Sequence, residues 1–257
     1  MKISIITLFP KMINGFFEES ILKKAQEKGL IELEIINLRD FATDSHKTVD
    51  DRPYGGGAGM VLRADILNTA IKSVKDSNLE DKEDSQVILT SARGKIFNQK
   101  MAKDLSALKH LIIICGHYEG FDERIMSQVD QEISIGDFIL TGGEIPASLV
   151  ADAVTRLIPG VLKKEDATQN ESFFFVTVDS LIEICGEDEV LGFLKKNNIQ
   201  QVQLVEYPHY TRPEIVNGED VPEVLKKGNH KDIYTWRIKK AYSTTKQKRP
   251  DLLMIKP

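Results

Sequence analysis

The chain has 257 residues, of which 34 are Lys or Arg and 39 are Asp or Glu, and its formal net charge is -5. Hydrophobic residues make up 41% of it and only two are cysteines, which predicts a soluble globular protein in a reducing compartment and excludes a disulfide framework. No apolar run approaches the roughly 20 residues of a membrane span, and the opening MKISIITLFP is too short for a signal peptide, so we expect a cytoplasmic protein.

The first part of the chain alternates predicted strands and helices. Short apolar runs predict strands at 3–8, 31–36, 86–91 and 111–115. Apolar residues at helical spacing predict helices at 12–25, 64–74, 99–108 and 147–157. The alternation, together with the fully apolar run LIIIC, is typical of a parallel sheet covered by helices, so the predicted fold class is α/β.

We divide the chain into three parts. The first domain spans residues 1–162, because Pro159 and Gly160 stop its last predicted helix. Residues 163–205 show no strong pattern, and we interpret them as a linker with an insert that contains a strand at 173–178 and a short helix at 189–196. Residues 206–257 are predicted to form a small helical C-terminal domain.

Positive charge is concentrated near the end of the chain. Residues 225–257 contain ten Lys or Arg and two acidic residues. Such a segment on an acidic protein is one way to build a nucleic-acid footprint, although charge alone favours a solvated helical face. Tyr234, Trp236 and Tyr242 add some support for the footprint, because aromatic residues among basic ones can stack on unpaired bases. The alternatives are a solvated helical face and aromatic residues that form the segment's own small core.

Three glycine-containing loops follow three predicted strands. They are TSARG at 90–94, GHYEG at 116–120 and IGDFILTGG at 135–143. Ligands bind at the carboxyl ends of strands in open parallel sheets, so three such loops predict a pocket. The chain has neither the G-x-G-x-x-G of a Rossmann nucleotide site nor the motif of a P-loop, which disfavours both.

The loop at 46–60, HKTVDDRPYGGGAGM, combines three consecutive glycines with adjacent charged residues. We interpret it as a substrate lid, because long glycine-rich loops inside compact domains are more often functional than idle. The alternative is a mobile surface loop.

Five segments resemble the bacterial tRNA (guanine-37-N1)-methyltransferase family in the same order: HKTVDDRPYGGGAGM, CGHYEGFDER, SIGDFILTGGEIP, TRLIPGVL and PHYTRPE. The resemblance covers residues 1 to about 172 and 206 to the end. It implies a SPOUT-class fold with a deep trefoil knot, S-adenosylmethionine as the methyl donor, tRNA as the substrate, and a homodimer whose active site is shared between chains. The family is associated with Mg²⁺ in turnover, although the sequence has no dedicated ligand cluster.

The resemblance also implies a set of cofactor-binding residues in the three loops. They are Thr90, Ser91, Gly116, Tyr118, Glu119, Ile135, Gly136, Asp137, Phe138, Ile139, Leu140, Gly142, Gly143 and Pro146. Asp137 or Glu119 is expected to offset the sulfonium charge. The alternative is that these residues serve only loop structure and helix capping.

The resemblance assigns the chemistry to a carboxylate and an arginine. Methylation of guanine N1 requires a base for the N1 proton and a cation at O6. By motif these are Glu171 and Arg156, with Asp50 of the lid ordering Arg156 and Asp166 as the alternative base. Glu171 stands where the family has Asp, which lengthens the reach of the carboxylate without changing its chemistry.

A second departure from the family is the length of chain between Phe173 and Pro208, where the family has a much shorter link. After it, His209, Tyr210 and Arg212 are candidates for contacting the anticodon arm. The competing functions are a SPOUT methyltransferase acting on another RNA nucleotide and a non-catalytic RNA-binding protein.

Overall fold

The computed structural model describes residues 1–77, 84–163 and 171–254 of the chain. The chain forms two compact units, Met1–Lys163 and Lys164–Pro257. In the described part of the chain, no helix is both long enough and apolar enough to cross a membrane.

A five-stranded parallel sheet forms the centre of the first unit. Its strands are β1 (Lys2–Thr7), β2 (Glu32–Asn37), β5 (Ser85–Ile96), β6 (His110–Cys115) and β7 (Gln131–Ser134), in the spatial order β2-β1-β6-β5-β7. Two short strands, β3 (Asp50–Asp51) and β4 (Val61–Leu62), pair antiparallel outside this sheet. The predicted α/β class with a parallel sheet is therefore confirmed.

Helices cover both faces of the sheet. They are α1 (Pro10–Phe17), α2 (Ser20–Glu27), α3 (Ala64–Asp76), α4 (Gln99–Ser106) and α5 (Glu144–Thr155). Successive residues of β6 point to opposite faces, so Ile112 and Ile114 pack with α3 while Leu111 and Ile113 pack with α1 and α5. The strand is apolar throughout because it is buried on both faces.

Three of the predicted elements differ in the structure. The strand predicted at 86–91 continues to Ile96, with a shift of its register against β7 between Thr90 and Lys95. The helix predicted at 12–25 is two helices, α1 and α2. Phe17 and Leu22 both pack in the same core, but in one continuous helix residues five positions apart would point to different sides of the helix. The helix predicted from residue 147 begins three residues earlier, at Glu144, with Gly143 as its N-cap.

The second unit has its own hydrophobic core. Its elements are β8 (Phe174–Thr177), α6 (Val178–Cys185), α7 (Glu189–Lys196), β9 (Gln201–Leu204), β10 (Ile215–Val216), β11 (Glu219–Asp220), α8 (Glu223–Lys226) and α9 (His230–Lys248). Strand β8 pairs antiparallel with β9, and residues of both strands and of α6 and α7 share one cluster with Ile238 and Tyr242 of α9. The described residues 171–205 of the segment that we interpreted as a linker with an insert thus contribute to one core with the C-terminal helix, and this unit contains strands as well as helices.

Candidate functional site

The three predicted loops enclose a cavity of about 410 Å³ in the first unit. It is lined by Thr90–Arg93 of the first loop, by 116–121 of the second, and by 133–136 and 138–143 of the third, with Pro146 from α5. Every predicted cofactor residue except Asp137 lines this cavity, and Asp137 is exposed. The structure thus brings these three segments together. The second and third follow the carboxyl ends of β6 and β7, whereas the predicted loop at 90–94 is an irregularity inside β5, where the register against β7 shifts between Thr90 and Lys95.

Glycines let the three loops meet backbone to backbone. The Gly143 N–H donates to the Gly116 carbonyl oxygen at 2.7 Å. A Cβ on Gly143 would lie 2.5 Å from the Gly116 nitrogen and 2.8 Å from the Cys115 Cα, and one on Gly116 would lie 2.6 Å from the Thr90 carbonyl oxygen. These close approaches exclude any larger residue at Gly116 and Gly143 without movement of the backbone.

Much of the cavity wall is apolar. Phe138, Ile139 and Leu140 stand exposed along the third loop, and Tyr118 stands exposed on the second. Tyr118 has a φ of 57°, in the left-handed region that side chains rarely adopt. Strained backbone of this kind is concentrated at ligand sites, and apolar walls with a few polar groups suit a flat heterocycle such as a purine.

The proposed lid reaches this cavity through Glu119. The lid at 46–60 contains β3 and ends where β4 begins, and the Glu119 N–H donates to the Met60 carbonyl oxygen at 3.1 Å. Gly59 has a φ of 86°, and a Cβ there would lie 2.5 Å from the Glu119 Cγ. The backbone conformation of Gly59 therefore favours glycine, and a side chain there would displace the Glu119 side chain.

A buried carboxylate lies at the first residue of α5, directly after Gly143 of the cavity lining. Glu144 is 1% exposed and accepts a hydrogen bond of 2.7 Å from the Thr7 hydroxyl at the end of β1. The N-terminus of a helix favours negative charge, which offsets part of the cost of burying this side chain. Burial raises the pKa of the nearby Cys115 thiol well above its usual range, and the charge of Glu144 raises that pKa further.

The predicted catalytic residues lie outside the described lining of the cavity. Asp50 lies in β3, where it is paired with Leu62 of β4, and Arg156 caps the C-terminus of α5. Glu171 belongs to the second unit, where its carbonyl oxygen accepts from the Phe174 N–H at 3.2 Å. Asp166, the alternative base, lies outside the described residues.

Aromatic and basic side chains of the second unit lie together on its surface. The Tyr210 and Trp236 rings are 6.2 Å apart, and Lys240 lies 6.0 Å from the Trp236 ring. The Arg237 guanidinium lies 4.8 Å from the Tyr207 ring. Tyr242 belongs to the core instead. Of the three aromatic residues suggested for stacking, only Tyr234 and Trp236 are thus outside the core of this unit.

One acidic cluster on the second unit has the spacing of metal ligands. Carboxylate oxygens of Glu214, Asp220 and Glu223 lie within 4.8 Å of one another, and all three side chains are exposed. The Lys226 ammonium forms ion pairs with each of them, which already neutralises part of their charge.

Three polar residues of the site region were not predicted from the sequence. Arg93 and His117 line the cavity, and Glu144 directly follows Gly143 of its lining. Arg93 and His117 stand inside two of the three predicted loops, and this was the available signal for them. The burial of Glu144 had no local signal, because its partner Thr7 is 137 residues away.

Comparison with known proteins gives one consistent result. A relative from Dictyoglomus turgidum is 49% identical over 98% of this chain and 90% of its own length. Relatives from Syntrophomonas wolfei and Carboxydothermus hydrogenoformans are each 48% identical over 100% of this chain, covering 91% and 88% of their own lengths. All three are named tRNA (guanine-N(1)-)-methyltransferase. Residues 1–255 match the family described as tRNA (Guanine-1)-methyltransferase TrmD, and the chain belongs to this family.

Proposed function

We propose that this enzyme transfers a methyl group from S-adenosylmethionine to N1 of guanosine 37 of tRNA, next to the anticodon. The observation that carries the proposal is the cavity built by the three loops, in a chain that matches the family over residues 1–255. The names of its relatives indicate that the methylated atom is N1 of a guanine in tRNA. The resemblance of the motifs indicates S-adenosylmethionine as the methyl donor and position 37 as the target.

The donor would bind in the cavity. Its adenine would pack against Ile135 and Leu140, while backbone groups of the three loops hydrogen-bond the base and the ribose. Glu119 is the acidic residue among the described residues that line the cavity, so it is the better candidate to offset the sulfonium charge. Exposed Asp137, which does not line the cavity, is the weaker one.

The chemistry would need two groups beyond the donor. Glu171 would accept the proton that guanine N1 loses, and Arg156 would stabilise the negative charge that develops at O6. Asp50 of the lid would order Arg156. When S-adenosylmethionine is bound it supplies an electrophilic methyl group, so the protein's own task is to remove the proton and hold the two reactants in line.

The tRNA would be held by the second unit. Helix α9 carries exposed Lys239 and Lys240 beside Trp236, a combination that binds phosphates and stacks on bases. His209, Tyr210 and Arg212 precede it and are exposed, so they are available to the anticodon arm.

We further propose that two copies of the chain share the site. Met12 and Phe16 of α1 and Ile145 and Leu149 of α5 are exposed, although α1 and α5 pack against each other. An apolar surface of this kind suits a second copy of the chain. Sedimentation should show a dimer that Leu149→Asp dissociates and that Phe193→Asp, at an exposed position of α7, leaves intact. A monomeric wild type would refute the shared site.

Three finer parts of the proposal have other sources. The trefoil knot in the SPOUT-type sheet and the use of Mg²⁺ in turnover come from the family resemblance alone, and the cytoplasmic location comes from the composition and the short apolar runs of the chain. Removal of divalent cations with a chelator tests the use of Mg²⁺, because turnover should fall while donor binding is retained.

The deciding experiment is methyl transfer from labelled S-adenosylmethionine to an unmodified tRNA with guanosines at 36 and 37, beside the same tRNA with adenosine at 37. Label should appear only in the first tRNA and map to N1. Label in both would place the target elsewhere in the RNA. Label in neither, with the donor still bound, would favour a binding protein without catalysis.

Variants of the full-length enzyme test the two assigned carboxylates. Glu171→Gln should abolish single-turnover methyl transfer and leave donor binding intact, whereas Glu183→Gln, at an exposed position of the same unit, should change neither. Near-normal transfer by Glu171→Gln would move the base to another residue. Asp50→Ala should slow turnover at unchanged donor affinity, and unchanged turnover would remove its role.

A further inference from the structure

Arg93 is held at the donor cavity by a defined set of contacts. It follows Thr90 of β5 by three residues, where the pairing of β5 with β7 shifts register, and it lines the cavity. Its Nη2 donates to the Glu123 carboxylate at 3.2 Å, and its Nε donates to the Glu132 carboxylate at 3.3 Å. The guanidinium lies 5.3 Å from the centre of the Phe121 ring. These contacts fix the cation beside the cavity.

Charge distinguishes Arg93 from the rest of the lining. Among the described residues that line the cavity, Arg93 is the only Lys or Arg, and Glu119 is the only Asp or Glu. S-adenosylmethionine carries two cations, the sulfonium and the ammonium, and one anion, the α-carboxylate. Glu119 suits one of the cations, and Arg93 is the complement of the carboxylate.

The existing ion pairs leave Arg93 able to bind an anion. The Glu123 side chain is 70% exposed, and an exposed ion pair of this kind contributes little to stability, so the carboxylate of Glu123 can be exchanged for another. Glu132 is only 18% exposed and would keep its bond to Nε. In the described part of the chain the hydrogen bonds of the guanidinium use Nε and Nη2, which leaves the Nη1 donors for a second bond to the same ligand.

We propose that Arg93 binds the α-carboxylate of the methionine part of S-adenosylmethionine, replacing its bond to Glu123. The proposal rests on the proposed function, because it assumes the same donor in the same cavity. Arg93 would then orient the amino-acid end of the donor while the loops hold its adenosine end. It would be a binding residue, with no part in the proton transfer.

Two ligands separate this role from a structural one. S-adenosylhomocysteine retains the amino-acid group of the donor, and methylthioadenosine lacks it. In calorimetric titrations of the full-length protein, Arg93→Gln should weaken S-adenosylhomocysteine binding by about tenfold to a hundredfold, the range for a hydrogen bond to a charged group. Methylthioadenosine binding should not change. Arg93→Lys should give an intermediate loss, because it keeps the charge and loses the planar fork.

Arg124→Gln is the matched control. The Arg124 side chain is 77% exposed, forms an ion pair with Asp122 at 2.6 Å and does not line the cavity. The Arg124→Gln variant should therefore bind both ligands with the affinity of the wild type. Equal losses for both ligands in Arg93→Gln would show a structural role and overturn the proposal. Unchanged S-adenosylhomocysteine binding with weakened tRNA binding would overturn it in favour of a phosphate contact. If the wild type bound neither ligand, the proposal that S-adenosylmethionine is the methyl donor would itself be contradicted.

Discussion

Replacement of Gly143 by alanine tests how the cavity is built. The φ of Gly143 is −85°, which any residue adopts, so alanine adds no backbone strain and its effect is purely steric. The new Cβ would lie 2.5 Å from the Gly116 nitrogen and 2.8 Å from the Cys115 Cα. Both are backbone atoms of the central strand and the loop after it, so neither can rotate away.

The expected cost follows from these close approaches. Overpacking of a close-packed interior costs about 1–3 kcal/mol. Moving the two loops apart also lengthens the 2.7 Å hydrogen bond from the Gly143 N–H to Gly116, which contributes about 1 kcal/mol. The two costs together are about 2–4 kcal/mol. Because a chain of this size loses about 2–4 °C of melting temperature per kcal/mol, we expect a decrease of roughly 4–16 °C.

Thermal melts and titrations with S-adenosylhomocysteine measure the two consequences. Gly143→Ala should melt earlier and bind the ligand at least tenfold more weakly, since the separated loops are the walls of the cavity. Gly15→Ala is the control, because a Cβ there meets nothing within 4 Å and an alanine inside α1 should raise stability by about 0.5–1 kcal/mol. Wild-type melting and binding in Gly143→Ala would refute the packing argument.

Three further predictions concern other parts of the chain. Thr7→Val removes the hydroxyl that donates to one oxygen of the buried Glu144 carboxylate, and it should lower the free energy of unfolding by about 1–3 kcal/mol. Thr69→Val, at an exposed hydroxyl, should change that free energy by less than about 0.5 kcal/mol, and equal denaturation midpoints of the two variants would contradict this. Burial raises the pKa of the Cys115 thiol more than that of the half-buried Cys185 thiol. A thiol reagent at pH 8 should therefore modify Cys185 first and Cys115 only when the protein unfolds. The reverse order of modification would be incompatible with the fold. Trp236→Ala should weaken tRNA binding by about 1–3 kcal/mol and leave donor affinity unchanged. Trp236→Phe should retain most of the tRNA binding, because it keeps an aromatic ring. Undiminished tRNA binding by the alanine variant would show that Trp236 does not contact the RNA.

The sheet and the cavity could be predicted from the sequence because their signals are local. Apolar periodicity locates most of the helices and strands, and the rule that loops at the carboxyl ends of parallel strands meet predicts a pocket from three glycine-containing loops. The residues that tune the pocket have no local signal. Arg93 is held by Glu123 and Glu132, which are 30 and 39 residues away, and one sequence does not show such pairs.

The second unit was harder to predict for a similar reason. The strand predicted at 173–178 is confirmed as β8. Its antiparallel partner β9, joined through the pairing of Val176 with Val202, has only four residues, too few for their alternation to identify a strand. Their core is completed by residues of α9, such as Ala241, which follow in the sequence only after a further stretch of chain. When the residues that complete a hydrophobic core lie far apart in the sequence, each segment taken alone shows too few apolar residues to be distinguished from a linker.

The order of strands in the sheet has a consequence for how the chain folds during synthesis. Strand β6 lies between β1 and β5, although both of those strands precede it in the sequence. The β1–β2 pair therefore cannot be joined to β5 until residue 115 has left the ribosome. The hydrogen bond from Thr7 to Glu144 can form only later, after residue 144 has been synthesised. Pairing between such distant residues slows folding. We expect the nascent chain to expose the apolar edges of β1 and β5 until the middle strand arrives, and to need protection from aggregation during that interval.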